Sequence, residues 1–202
     1  MMHSLQSARP AADAAMRAMF AARKQVFVDL LGWDLPVLAG RYELDQFDDQ
    51  DAHYLILSEP NGDHIASARL LRTTRPHLLD SHFAALADEP IPHGARVREI
   101  TRFCLDRRVT AAARREARDQ LVRGLVDFAL ENDIVTYTGV AEPGWLRQIL
   151  AFGWEARSLG QVRPANGMMV AALRIDIGTD THERLDRAGI VERHDCPRAE
   201  AA

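Results

Sequence analysis

Charged residues fall where the surrounding sequence is apolar, and their types define a chemistry. Arg23 and Phe27 lie at the end of an apolar periodic segment, and Trp33 follows in Leu31-Gly32-Trp33. Then come Glu43-Leu44-Asp45-Gln46-Phe47-Asp48, Arg69 inside an apolar run, and Arg98-Glu99-Ile100-Thr101-Arg102-Phe103. Arg, Asp and Glu are seldom fully buried unless paired. Three guanidiniums (Arg23, Arg69, Arg102) and three carboxylates (Asp45, Asp48, Glu99), interleaved with rings, predict one internally neutral polar pocket. Such a pocket suits a zwitterionic substrate: planar guanidiniums grip a carboxylate with two hydrogen bonds, and an aromatic face attracts a cation.

The elements that must position these groups follow from periodicity. From Pro10, residues Met16, Met19, Phe20, Phe27, Leu30 and Leu31 recur at three- and four-residue steps, an amphipathic helix that Gly32 stops. Arg23 and Phe27, four apart, share a face, and Trp33 can fold back toward them. Residues 34–51 read as an irregular acidic loop anchored by Tyr42, Leu44 and Phe47. Two strands, His53–Ser58 and His64–Leu71, flank Asn61-Gly62-Asp63, a hairpin signal. A short helix around Leu78–Leu86 carries Phe83; a strand spans 96–105 and a helix Ala111–Glu131. Ile134–Val140 is a strand, and Pro143 opens a helix to about Phe152. Two last strands cover Trp154–Leu159 and Met168–Ile175. The expected fold class is α/β (α+β mixed): a single domain over 1–178, with one mixed twisted sheet and helices on both faces. Residues 1–9 read as a loose start and 179–202 as a flexible charged tail.

Strand alternation puts Glu99, Thr101 and Phe103 on one face and Ile100, Arg102 and Cys104 on the other. Glu99 and Arg102 reach one cleft only if the strand bulges or splays, so an irregularity is expected at 99–103.

Bulk properties exclude several classes. With 202 residues, 47% hydrophobic and 27% charged, the chain reads as an ordinary soluble globular protein. A formal charge of -4, with Lys24 the single lysine, argues against nucleic acid as a partner. No apolar run is long enough for membrane insertion. Two cysteines, Cys104 and Cys196, make no disulfide framework, and a cytoplasmic location is expected. The eight histidines show no ligand spacing, so no metal site is expected. Dinucleotide and P-loop glycine motifs are absent, as is a GxSxG elbow.

With these residues in view, the chain resembles the acyl-homoserine lactone synthases, the autoinducer synthases of bacterial quorum sensing. The pattern runs Arg23, Phe27, Gly32-Trp33, then Glu43-x-Asp45-x-Phe47-Asp48, then Arg69, Phe83 and Glu99-Ile100-Thr101-Arg102-Phe103. Thr101 keeps the hydroxyl where many members carry Ser. The resemblance spans roughly 16–155 and implies an N-acetyltransferase-like fold with splayed central strands. It implies two substrates, S-adenosylmethionine and an acyl group on acyl carrier protein, and no cofactor. The products would be an N-acyl homoserine lactone, methylthioadenosine and free carrier.

On that reading Glu99 is the base and Arg102 its catalytic companion. Arg23, Phe27, Trp33, Asp45, Asp48, Arg69, Phe83, Thr101 and Phe103 bind substrate. Arg23 or Arg102 would hold the substrate carboxylate, Phe27, Trp33 or Asp45 its sulfonium, and Asp48–Arg69 would pin the acidic loop. Leu146, Ile149, Leu150, Phe152 and Trp154 are candidates for an acyl slot. Arg107, Arg108, Arg114, Arg115, Arg118 and Arg147 are candidates for docking an acidic carrier. Acyl-CoA is the alternative donor. The rival functions are a plain acetyl-CoA-dependent N-acetyltransferase, against which the glycine-free Asp106–Ala113 stretch argues, and a non-catalytic ligand-binding regulator.

Overall fold

A computed structural model describes residues 2–5 and 10–191, with side chains from residue 13 onward. The chain order is β1 (Met2–Leu5), α1 (Pro10–Arg23), a π-helical turn (Lys24–Leu30), β2 (Val37–Leu38), β3 (Tyr42–Glu43), β4 (His53–Ser58) and β5 (His64–Arg72). Then follow α2 (Leu78–His82), a 3-10 turn (Ala84–Leu86), β6 (Val97–Leu105), α3 (Ala111–Glu131), β7 (Thr136–Ala141) and α4 (Pro143–Leu150). The last elements are β8 (Glu155–Ser158), β9 (Arg163–Ala165), β10 (Met168–Asp176) and α5 (Thr181–Arg187).

The main sheet runs β1-β4-β5-β6-β7-β10-β8, with β9 on β10; β2 and β3 form a separate ribbon. All pairings in the sheet are antiparallel except β6–β7, which α3 connects as a crossover. On one face Leu55, Leu57, Ala68 and Leu70 pack with Leu121, Leu125 and Ala129 of α3. On the other, Tyr54, Ile56 and Leu71 pack with Met19 of α1. Burial on both faces explains why β4 reads as a continuous apolar run rather than an alternating one. Gly62 at φ +89° turns the β4–β5 hairpin, and Thr110 caps α3 through its side chain.

Two boundary readings need correction. Met2–Leu5 is not loose: it pairs antiparallel with β4 as an edge strand. Nor does order stop at Gly178. Helix α5 follows, and Leu185 and Ile190 join the α3 core, 0% and 3% exposed. Two spaced apolar anchors suffice among charges, a pattern too sparse to stand out by composition. Residues 192–202 of the expected tail, with Cys196, lie outside the described residues.

Candidate active site

The charged residues close into a ring of alternating sign. Arg23, the last residue of α1, places Nε 2.5 Å from Glu43 Oε2 and grips both Asp48 oxygens at 2.8 Å. Asp48 lies 2.8 Å from Arg69, and Arg69 bonds Asp45 at 2.6 and 3.0 Å. Asp45 accepts from Arg102 Nη2 at 2.8 Å, and Arg102 returns to Glu43 at 3.1 Å. The tight loop after β3 makes this possible: Asp45 and Asp48 also accept backbone N–H groups of that loop. Tyr54 donates its hydroxyl to Asp48 at 2.8 Å. Arg23, Glu43 and Arg69 are at most 1% exposed. The oxygens of Glu43, Asp45 and Asp48 come within 4.8 Å of one another, a spacing that would repel without the three interleaved guanidiniums. Burial by itself would raise the Asp48 carboxyl. The hydrogen bonds and charge of Arg23, with the charge of Arg69, overturn that and hold it well below the usual carboxylate range. Asp45 is lowered likewise, against burial, chiefly by Arg69 and then Arg102.

Arg102 reaches the ring because β6 carries an extra residue. Ser67 faces Cys104 and Arg69 faces Thr101, so three steps on β6 oppose two on β5. The excess is taken up at Arg102, whose φ of +50° is left-handed, a strained geometry for a non-glycine residue. The expected irregularity at 99–103 is present, and it corrects the simple alternation. Glu99, Thr101, Arg102 and Cys104 now serve the α1 face, while Ile100, Phe103 and Leu105 pack toward α3. Cys104 is wholly buried and burial pushes its thiol up to about 12, so it is no nucleophile.

The π-helical turn and Gly32 (φ +68°) bring Trp33 back over Phe27, stacked at 4.9 Å and 12°. The Arg102 guanidinium lies 5.8 Å from the Phe27 ring centre.

Two cavities meet on β6. β6 and β7 pair only from Val97–Thr136 to Ile100–Gly139, although both run further, so the strands splay. A cavity of about 300 Å³ occupies the splay, walled by Phe103, Leu125, Trp145, Ile149, Phe152 and Trp154. A second, more polar one of about 750 Å³ lies over the charged ring, lined by Trp33, Asp45, Phe47, His82, Phe83 and Thr101. Trp33, Ile100, Thr101, Arg102, Val140 and Glu142 belong to both. An acyl chain in one and a polar nucleophile in the other would therefore touch at the bulge.

Glu99 stands apart from the ring. It is 0% exposed and lines neither cavity. Its Oε2 accepts the Leu78 N–H at 2.8 Å. Burial raises its carboxyl to about 8, against the hydrogen bonds of Leu78 and Leu79 and the charge of Arg69. The third carboxylate of the ring is Glu43, which sequence reasoning passed over although it opens the same acidic stretch.

Other expected site residues move. Arg23 is spent on Glu43 and Asp48 and reaches neither cavity, which leaves Arg102 for a substrate carboxylate. Phe103 belongs to the apolar cavity, 4.9 Å from Trp145. Of the residues expected to form an acyl slot, Ile149, Phe152 and Trp154 line that cavity, whereas Leu146 packs into the core and Leu150 is 41% exposed. Trp145 was missed; its spacing to Ile149 and Phe152, four and seven residues on, marks the inward stripe of α4. Among the docking candidates, Arg108 is tied to Asp106 and Arg118 to Asp119, whereas Arg107, Arg115 and Arg147 are exposed.

An open mixed sheet of this kind recurs in more distant solved proteins. A solved N-acetyltransferase-like protein of Lactobacillus plantarum, 18% identical, shares that fold at a TM-score of 0.58 over 87% of this chain and 98% of its own. The autoinducer synthase family model matches residues 7–185, and the chain belongs to that family of acyltransferases. It is 37% identical to the acyl-homoserine-lactone synthase of Ralstonia nicotianae over 166 residues, 79% of this chain and 80% of that one. Among solved structures, TofI in a ternary complex with an inhibitor and MTA is 31% identical, with a TM-score of 0.76 over 92% of this chain and 96% of that one. The CoA-dependent synthase BjaI, solved with SAM and isopentyl-CoA, is 26% identical, with a TM-score of 0.84 over 99% and 95%. No helix among the described residues is long and apolar enough to cross a membrane.

Proposed function

We propose that this chain makes an N-acyl-L-homoserine lactone from S-adenosylmethionine and an acyl thioester on acyl carrier protein. One observation carries the reading: a polar cavity over a charge-balanced ring and an apolar cavity through the splayed strands share the β6 bulge. S-adenosylmethionine, held in the first, offers its carboxylate to Arg102, whose Nε and Nη2 are held by Glu43 and Asp45. Trp33 and Asp45 face its sulfonium, and Phe83 closes the wall.

The amine attacks the thioester carbonyl through its lone pair, so it must be neutral, and Glu99 is the base. Its carboxyl at about 8 is matched to an amine that gives up its proton near neutral pH. A C–N bond forms, the carbonyl pair moves to oxygen and returns, and the C–S bond breaks with the thiol leaving protonated. Backbone N–H groups freed where β6 parts from β7 are placed to hold the oxyanion. Then the substrate's own carboxylate attacks its γ carbon and expels methylthioadenosine, a step that needs only a held near-attack shape.

The exposed Arg107, Arg115 and Arg147 favour an acidic carrier as the donor. BjaI, solved with isopentyl-CoA, keeps acyl-CoA as the second donor to assay. In an organic extract of cells expressing the chain, mass spectrometry should find a homoserine lactone ring fragment, lost in Glu99→Ala. Consumption of acetyl-CoA with no lactone would replace this reading with a plain N-acetyltransferase.

A further inference from the structure

Glu99 and Thr138 face each other across the parallel β6–β7 ladder. Both are 0% exposed. Glu99 Oε2 has the Leu78 N–H, but Glu99 Oε1 and Thr138 Oγ1 have no hydrogen-bond partner among the described residues. Buried polar atoms are nearly always satisfied, by protein or by an ordered water. Two orphaned oxygens on laterally adjacent residues form the kind of polar niche that holds one water.

Thr138 lines the apolar cavity and Glu99 lines neither, so the niche lies at the back of that cavity. Thr101 and Val140 are next along the same face of the two strands, and both line the two cavities. A parallel strand advances ~3.3 Å per residue, so that row is about 6.6 Å ahead. With Glu99 outside both cavities, one water making two hydrogen bonds of roughly 3 Å can link its carboxyl to an amine held in them. Glu99, sealed from both cavities, therefore needs an intermediary to act as the base assigned to it above.

We propose that Thr138 and Glu99 together hold one buried water, and that this water relays the amine's proton to Glu99. The amine's proton passes to the water oxygen, a water proton passes to Oε1, and the nitrogen lone pair is released to form the C–N bond. The water is regenerated. Thr138 is a positioning residue in this scheme: its hydroxyl fixes the water and touches no reacting atom. The charged groups bearing on Glu99 are Arg69 of β5 and Asp80 of α2. His77, just before Leu78, is buried with Nδ1 turned to the Arg75 carbonyl 3.1 Å away.

The test compares the full-length wild type, Thr138→Val, Thr138→Ser and Glu99→Gln with S-adenosylmethionine and the acyl thioester matching the lactone recovered from cells. In Thr138→Val, kcat should fall at least ~10-fold while the S-adenosylmethionine KM stays within about twofold. The ascending limb of its pH–rate profile should also move, and Thr138→Ser should recover most of the rate. A Thr138→Val enzyme with wild-type kcat and limb overturns the relay. So does equal impairment of the Val and Ser variants with equal loss of Tm, which would mark a structural role. The Glu99→Gln arm separates the two layers. Full activity there removes Glu99 as the base; an inactive Gln variant beside an unaffected Thr138→Val removes only the relay.

Discussion

The cost of Glu99 and the basicity proposed for it come from the same burial. A carboxyl whose ordinary value is 4.5 sits at about 8 in the folded chain. Between those values the folded state binds a proton that the unfolded state has released, so stability falls as pH rises from about 4.5 to 8. Glu99→Gln removes that penalty. It should raise Tm at pH 8, with a gain of up to a few kcal/mol that fades as pH drops toward 4.5, measured by thermal unfolding across pH. A gain independent of pH would show that Glu99 is not the group responsible. For the wild type, kcat/KM should rise with pH toward about 8. At this scale the sequence was informative about type and less so about partnership. Glu99, Arg102, Trp33 and Asp45 were legible because charged and aromatic residues stood in apolar runs. Glu43 was not, because its burial depends on a two-residue ribbon, β2–β3, that no periodicity announces. Leu150 was misassigned because helix spacing sorts faces only once the direction of the core is known.

The ring is a clamp between elements: it ties α1, β3 and the loop after it, β5 and β6 through six side chains. Removing one member strands its partners in a dry site. Arg23→Leu leaves Glu43 and Asp48 short of their main counter-charge and should cost about 3–5 kcal/mol. Denaturant unfolding checks this; a loss below about 1 kcal/mol, typical of exposed ion pairs, would contradict a buried clamp. Because Asp48 and Asp45 are held below their ordinary values, their share of stability is present above about pH 4 and is lost as pH falls further. The element order and most boundaries were readable from period and turn residues. The bulge was readable from the demand that Glu99 and Arg102 share a cleft, but it delivers Arg102 to the ring and leaves Glu99 behind it; its effect on Phe103 and Cys104 needed the register. The π-helical turn left no mark in sequence, because Lys24–Leu30 keeps an apolar rhythm either way.

Across the whole molecule, the two cavities meet at one gap. Among the described residues, seven strands in a continuous path give a rigid support, and their single parallel pair opens at Gly139. There a Cβ on Gly139 would come within 3.1 Å of the Ile100 carbonyl oxygen. Helices α3 and α4 wall the apolar side of the gap, and the segment Leu31–Pro36, the acidic loop and α2 wall the polar side. Helix α5 completes the core through Leu185, which is why the domain runs past Gly178. On the proposed function both substrates meet in this gap, and methylthioadenosine release by the purified chain is the sharpest assay of that meeting. Release should require S-adenosylmethionine and the acyl donor together, with one lactone formed per methylthioadenosine. Release without acyl donor, or acyl transfer that leaves S-adenosylmethionine untouched, would contradict it.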